Sequence, residues 1–399
     1  MKTKIINISK FFTFDDNSND LSVVKDHEIL IQDGKIIEIS KNCGDCEDII
    51  NANNCIITPG FIDSHTHPIF IGNRSNEFLM KISGKTYNQI SKEGGGIFSS
   101  VKMLRKSSDD ELHEASLNNI KPFIYNGTTT IEAKSGYGLT TKDEVRSLKI
   151  IKKINNELPI DILPTFLGAH AVPPEYSKVD YINIICNEMI PEISNNKLAV
   201  FCDVFCEDGY FNKDECFKIL DTAKSYGMIP RLHADEFVYS DGSILAKEIE
   251  AASADHLMAI NDEGINALSS SNVIATLLPG TTFTLNKSNY ANGRKLIDNG
   301  CNVALATDFN PGTCTIRSLT QIMLLSILYC GMNLEESFKA VTLNGAKSLM
   351  KGNELGVIKK NYQADLLFWD IDVLDEIVYW NDANIVKLKH VMKKGKIIN

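Results

Sequence analysis

Five of the eight histidines in this chain stand at or near the ends of short apolar runs, a placement that suggests metal binding or proton transfer. His65 and His67 form His-x-His at the close of the run from Pro59 to His67. Side chains two apart on a strand project to the same side, so both imidazoles can reach one cation while Ser64 and Thr66 face the other way. His233 ends Ile-Pro-Arg-Leu-His and offers a third nitrogen, and Asp308 ends Val-Ala-Leu-Ala-Thr-Asp. A carboxylate closing an apolar strand is costly unless it binds something, so Asp308 reads as a hard oxygen ligand. Three nitrogens and one carboxylate with an open position suit one divalent or trivalent ion per subunit. Zn²⁺ is favoured, and Fe or Mn also fit. Such an ion lowers the pKa of water from ~15.7 towards ~7, which makes a nucleophile available at neutral pH. His170 and His256 end similar runs. A single strand-end histidine is more often a hydrogen-bonded structural residue, but five together point to a site. His27, His113 and His390 read as solvated surface residues on terminal strands or a helix.

These side chains need elements to bring them together. Eight apolar β-like runs recur, mostly separated by helix-length segments: 55–67, 128–135, 161–170, 199–207, 229–236, 252–257, 273–281 and 302–308. Near-continuous apolar strands alternating with helices imply a parallel sheet buried on both faces. Eight such units predict a closed α/β barrel of the (β/α)8 type, whose active sites form where the strands end. No G-x-G-x-x-G follows the first run, which argues against a doubly wound dinucleotide fold. Ser108 before Asp109, Asp110 and Glu111 predicts a capped helix start. Val145, Leu148, Ile151 and Ile154 recur at helical spacing. At the amino-terminal end, Ile29 and Ile31, then Asp33-Gly34, then Ile36, Ile37 and Ile39 predict a tight hairpin. The carboxyl-terminal end repeats the pattern, with Val391 and Met392, a Lys394-Gly395 turn, then Ile397 and Ile398. The expected organisation is a small β-sandwich built from residues 1–58 and 355–399, flanking a barrel over 59–354.

Composition narrows the function classes. A formal net charge of −10 disfavours nucleic acid or an anionic membrane as partner. An anionic small-molecule substrate would need a local Arg or Lys. The start of the chain is interrupted by Lys10, Asp15 and Asp16, so it lacks a signal peptide's apolar core. The most apolar stretch, 319–332, contains Gln321 and is shorter than the roughly 20 residues that span a bilayer. A cytoplasmic protein is expected, and a homodimer on the general behaviour of soluble enzymes. The ten cysteines are scattered and read as reduced thiols. Cys43-x-x-Cys46 has no second pair to make a zinc site, and Cys202 and Cys206 read as core.

Together, the Pro-Gly-Phe-Ile-Asp-Ser-His-Thr-His strand, His233, Asp308 and the terminal sheets resemble the amidohydrolase superfamily over nearly the whole chain. Finer motifs resemble its imidazolonepropionase family. They are Gly94-Gly-Gly-Ile97, Lys134-Ser-Gly-Tyr-Gly-Leu139, Phe166-Leu-Gly-Ala-His170, His233-Ala-Asp-Glu236, Ser253-Ala-Asp-His256 and Asp308-Phe-Asn-Pro-Gly-Thr313. The set, in this order, is specific; each motif alone is weak. The resemblance implies a single metal on His65, His67, His233 and Asp308, with His256 beside the bound water. It implies hydrolysis of the cyclic amide of 4-imidazolone-5-propanoate to N-formimidoyl-L-glutamate. Arg74 falls where that family binds substrate, and a guanidinium suits a propanoate as a planar double donor. Tyr137 and His170 complete the expected pocket, Tyr137 being presented by the turn at Gly136 and Gly138. Asn310, Gly312 and Thr313 are expected to contact the ring and the new carboxylate. Asp308, His256 and Glu236 share the acid–base work, Glu236 also holding the ring N–H groups; whether Glu236 or His256 is the principal base stays open. Lys134 is expected to be structural rather than a carboxylated lysine bridging two metals. A glycine-rich phosphate cradle at Gly94–Gly96 is disfavoured, since no strand precedes it and no Lys-Ser/Thr follows. The alternatives are a cytosine- or guanine-type deaminase, a dinuclear dihydroorotase-like enzyme, or an inactive scaffold.

Overall fold

The alternation of apolar runs and helices resolves into eight parallel strands in sequential order, seen in a computed structural model that describes residues 1–15, 20–85, 89, 95–381 and 387–399. Asp16 and Gly94, both singled out above, lie outside the described residues. Strands are numbered along the chain. The first seven are β1 (Lys2–Ile6), β2 (Lys10–Phe14), β3 (Leu21–Lys25), β4 (Glu28–Gln32), β5 (Lys35–Ser40), β6 (Asp48–Asn51) and β7 (Ile56–Pro59). The barrel strands are β8 (Phe61–Asp63), β9 (Thr128–Lys134), β10 (Asp161–Ala169), β11 (Phe201–Cys206), β12 (Ile229–Ala234), β13 (Ser253–His256), β14 (Ile274–Leu277) and β15 (Val303–Leu305). Last come β16 (Leu366–Trp369), β17 (Leu388–Lys393) and β18 (Lys396–Ile397).

Strands β8 to β15 pair in order, each parallel to the next. The seam between β15 and β8 is closed just beyond the named strands. There the Asp308 amide donates to the His65 carbonyl at 3.0 Å, and the His67 amide to the Phe309 carbonyl at 2.8 Å. Helices cover the outside. Ser108 caps the helix Asp109–Tyr125 in a reciprocal capping box with Glu111. Helix Thr141–Glu157 buries Val145, Leu148, Ile151 and Ile154, as their spacing predicts. The apolar stretch beginning at Leu319 forms the helix Leu319–Tyr329, with Leu319, Ile322, Met323 and Leu325 buried. No helix among the described residues is long and apolar enough to cross a membrane.

Two further sheets come from the ends of the chain. One has the order β5-β4-β1-β6 and the other β18-β17-β16-β7-β2-β3, so the second mixes both termini. Ile5, Ile29, Ile31 and Ile36 of the first pack with Phe11, Ile57, Leu366, Phe368 and Met392 of the second, the shared core of a β-sandwich. The predicted hairpins form at their predicted turns, with Asp33 (φ 51°), Gly34 (φ 77°), Lys394 (φ 48°) and Gly395 (φ 75°) all left-handed.

Two runs end differently from the reading above. The run 55–67 is not one strand: β7 belongs to the mixed terminal sheet and β8 to the barrel. They part at Gly60, where an added Cβ would stand 2.4 Å from the Thr129 hydroxyl. The run 273–281 stops as a strand at Leu277, and Pro279 starts the helix Pro279–Thr284, where the fixed proline φ suits a first turn.

Candidate active site

Four side chains from three parts of the barrel converge at its carboxyl-terminal mouth. His65 and His67 follow β8, His233 lies in β12 and Asp308 follows β15. The His65 and His67 Nε2 atoms are 3.2 Å apart, and His67 Nε2 lies 3.3 Å from His233 Nε2. Asp308 Oδ1 is 3.5 Å from His65 Nε2 and 3.3 Å from His67 Nε2. An ion held tetrahedrally at about 2.0–2.1 Å requires ligand separations of about 3.3–3.4 Å, so the three imidazoles could hold one cation, with Asp308 Oδ1 beside the His65 and His67 nitrogens.

Protonation supports the same reading. The His65 Nδ1 faces Asp255 Oδ2 at 2.7 Å and the His233 Nδ1 faces Asp203 Oδ1 at 3.0 Å. A carboxylate beside Nδ1 keeps the proton there and turns the Nε2 lone pair inward. Burial, then neighbouring cationic groups, pushes the His65 and His67 imidazoles well below the ordinary histidine range. Unprotonated nitrogens converging in a buried space repel one another unless a cation lies between them. The three imidazoles thus could hold a divalent metal by spacing and by chemistry.

A buried polar shell supports the cluster. Asp255 also meets the Arg231 guanidinium at 3.4 Å, and Arg231 donates to the Ser64 and Ser348 carbonyls. Lys134 donates to Asp203 Oδ2 at 2.6 Å and Glu132 Oε1 at 2.7 Å. Burial alone would lower the Lys134 pKa, but Asp203 and Glu132 together raise it and hold the amine as an ammonium. A carboxylated lysine forms from the neutral amine, so this pairing favours the structural role expected of Lys134. Thr281 donates to Asp308 Oδ2 at 2.6 Å and leaves Oδ1 for the cluster. Sequence reasoning missed the supporting roles of Asp203, Asp255, Glu132, Arg231 and Thr281. The usable signal was that each is a polar residue inside or next to an apolar run.

The cluster opens into a cavity of roughly 590 Å³. His67, His233, Asp308, His170, His256, Glu236, Tyr137, Arg74, Asn310 and Thr313 line it, together with Phe205, Tyr210, Phe237, Lys81, Lys85 and Lys287. His65 is fully buried behind them. Gly312 sits against Arg74, and a Cβ there would stand 2.0 Å from Arg74 Nη1. Every site residue named from the sequence is therefore in the cavity or directly behind it. His113, by contrast, pairs with Glu157 on the outer helices, and His27 contacts the Lys25 carbonyl. All ten cysteines are free thiols, Cys43 and Cys46 included.

Local backbone geometry aims the functional groups. His256 (φ 84°) and Asp308 (φ 52°) are left-handed at their strand ends, a strained conformation that concentrates at functional sites. Gly136 (φ 110°) turns the chain so that His170 Nδ1 donates to its carbonyl at 3.0 Å, leaving Nε2 for the cavity. Glu144 accepts from the Gly136, Gly138 and Leu139 amides and fixes the loop that presents Tyr137. Arg74 is braced by Glu77, whose Oε2 accepts from Nε at 2.9 Å and from Nη2 at 2.6 Å. Glu236 Oε2 lies 3.7 Å from His256 Nε2. Burial, then the charges of Asp308 and Glu207, raises the Glu236 carboxyl well above its ordinary range. Burial lowers His256 to about 3, so it is a neutral imidazole at physiological pH.

Residues 206–398 match the Amidohydrolase family. An imidazolonepropionase of Thermoanaerobacter pseudethanolicus is 42% identical, with 99% of this chain and 97% of the relative aligned. One of Clostridium tetani is 40% identical over 96% of this chain and 93% of its own. Among solved structures, a guanine deaminase from C. acetobutylicum with bound guanine superposes with a TM-score of 0.74 at 18% identity, over 100% of both chains. A triazine hydrolase variant gives a TM-score of 0.76 at 17% identity, over 99% of this chain and 94% of the other. At such identities the likeness shows a shared fold.

Proposed function

The chain belongs to the imidazolonepropionase family of the amidohydrolases, and on that basis we propose that it hydrolyses the cyclic amide C–N bond of 4-imidazolone-5-propanoate, giving N-formimidoyl-L-glutamate. His65, His67, His233 and Asp308 would hold one metal ion, Zn²⁺ by preference and Fe as the alternative. When bound, that ion supplies a nucleophile at neutral pH by lowering the pKa of water from ~15.7 towards ~7.

The protein's own groups do the rest. Arg74 receives the propanoate carboxylate, and Tyr137 and His170 flank the ring. Asn310, Gly312 and Thr313 contact the ring and, after cleavage, the new carboxylate. Attack on the ring carbonyl breaks the bond to the adjacent nitrogen, which needs a proton to leave as a neutral amidine. Glu236, its carboxyl raised well above the ordinary range by burial, suits that donation. Neutral His256 and Asp308 orient the attacking water and take up the proton it loses, which passes back to Glu236, 3.7 Å from His256, so that protons balance over the cycle.

The observation that carries this reading is that Arg74 borders the same cavity as His67, His233 and Asp308, as a substrate with a cyclic amide at one end and a carboxylate at the other requires. The deaminase alternative is not favoured, because the full-length relatives at about 40% identity are imidazolonepropionases. The test is loss of imidazolonepropanoate absorbance with metal-loaded and with chelated protein. Ring-opened product without ammonia supports the reading; ammonia release refutes it. Elemental analysis separates Zn from Fe. A cytoplasmic homodimer is part of the same proposal, and light scattering on the purified protein tests the dimer.

A further inference from the structure

The amide groups of Glu236, Phe237 and Val238 point together at one side chain, that of Glu207 just past β11. Glu207 Oε2 accepts from Glu236 and Phe237, each at 2.9 Å, and Oε1 accepts from Val238 at 3.2 Å. Three successive backbone N–H groups form a nest for an anion, and here the anion is supplied by the neighbouring strand's end. Glu207 is 2% exposed and does not line the cavity. Its own backbone closes the preceding loop: its amide donates to Phe211 at 3.1 Å and its carbonyl accepts from Tyr210 at 3.0 Å. Tyr210, Glu236 and Phe237 all line the cavity. One carboxylate thus ties together the loops that follow β11 and β12.

The opposite side of the second loop is held separately. Asp235 (φ 51°) turns the chain between His233 and Glu236, and its carboxylate accepts from the Ser240, Gly242 and Ser243 amides. Asp235 anchors the loop to the next helix, but only Glu207 fixes the amide of Glu236 itself.

We propose that Glu207 is a positioning residue for the hydrolysis, its carboxylate fixing the loop after β12 so that Glu236 meets the substrate ring. This rests on the role given to Glu236 above. Removing Glu207 orphans the three N–H groups of the loop after β12 and that of Asp208, which donates to Oε1 at 3.2 Å, and frees the loop; a displacement of about 1 Å at the reacting groups costs about 100-fold in rate.

The test uses the full-length, metal-loaded protein with Glu207→Ala, Glu207→Gln and Glu207→Asp. Glu207→Ala should lower kcat about 100-fold with metal content unchanged. Glu207→Gln should lose less, since its carbonyl oxygen can still accept from Glu236 and Phe237. Combined with Glu236→Gln, Glu207→Ala should cost less than about threefold more, because a positioning residue has nothing left to position. An equal loss in both backgrounds, or a variant with lowered thermal stability and wild-type kcat, overturns the proposal. Amide exchange provides an arm that needs no turnover: the 236–238 amides should be protected in the wild type and exposed in Glu207→Ala. If they stay protected in Glu207→Ala, the clamp is refuted. If the wild type does not open imidazolonepropanoate, the functional reading fails on its own account and the exchange arm still decides the clamp.

Discussion

Replacing Arg74 by alanine separates substrate recognition from metal chemistry, and the structure sets the size of the effect. The guanidinium is 8% exposed and its Nε and Nη2 hydrogens already engage Glu77, so a bound propanoate would meet Nη1 and the remaining Nη2 hydrogen. Each hydrogen bond between charged partners is worth about 1.5–3 kcal/mol, so two amount to about 3–6 kcal/mol. At about 1.4 kcal/mol per tenfold, the lower bound alone is about 100-fold in kcat/KM. Loss of the cation has a second consequence. Glu77 is 7% exposed, and without Arg74 its hydrogen-bond partner among the described residues is the Gly96 amide, at 3.1 Å on Oε1. An unpaired carboxylate would then face an anionic substrate. Arg74→Ala should therefore raise KM about 100-fold or more, and adding Glu77→Gln should recover about tenfold of that by removing the repulsion. Steady-state kinetics on imidazolonepropanoate with elemental analysis of each variant decides it. Unchanged KM and kcat refute the carboxylate assignment, loss of metal refutes the separation of roles, and no recovery on adding Glu77→Gln refutes the repulsion.

Other perturbations probe the rest of the site and its foundation. Asp308→Ala should lose bound metal and turnover together, read by elemental analysis and the absorbance assay; an active, metal-free variant would exclude Asp308 as a ligand. Asp255→Asn should weaken metal affinity about 10–100-fold while the fold persists, because His65 Nδ1 loses the carboxylate that orients it. Competition with a chelator measures that. At the far end of the barrel, Lys393 bonds Asp161 and Asp365, each at 2.7 Å, and is 4% exposed. Lys393→Ala leaves Asp365 without its cation and Asp161 with Lys394 alone, and should cost about 3 kcal/mol in urea unfolding. The pH dependence has a definite sign. Burial would raise Asp161, but Lys393, with Lys394 and Gln363, holds it down to about 2. A depressed carboxyl contributes stability above its ordinary pKa near 3.8, lost as pH falls through about 2. The stability gap between wild type and Lys393→Ala should therefore narrow below about pH 3.8 and close further near pH 2; a gap constant down to that pH would exclude the linkage.

The barrel and the convergence of His65, His67, His233 and Asp308 were legible because each leaves a local mark. A strand buried on both faces reads as an apolar run, and a ligand reads as the polar residue that ends one, as at His233 and Asp308. The supporting carboxylates mark only that something polar is buried in the run. Asp203 and Asp255 stand one place before an apolar residue or a histidine, and nothing near them in sequence says which side chain they serve. Asp203 holds His233 because β11 and β12 are adjacent, whereas Asp255 reaches His65 from the other side of the barrel interior, a pairing set by closure. Gly60 escaped notice for a related reason: the run through it stays apolar while the chain passes from one sheet to another, so hydropathy has no feature there. The pairing of Arg74 with Glu77 was readable at three-residue spacing, but the close approach of Gly312 to Arg74 was not.

Closure also explains why the site stands where it does. The bonds that join the last strand to the first are made by Asp308 to His65 and by His67 to Phe309. Three of the four cluster side chains thus sit on the backbone segments that seal the barrel. A cation held by His65, His67 and Asp308 would pull in the same direction as those two hydrogen bonds. The remaining ligand, His233, enters from β12, on the far side of the ring from the seam. An ion held by all four would span the barrel mouth across its diameter as well as along its join, so the proposed site and barrel closure depend on the same few atoms.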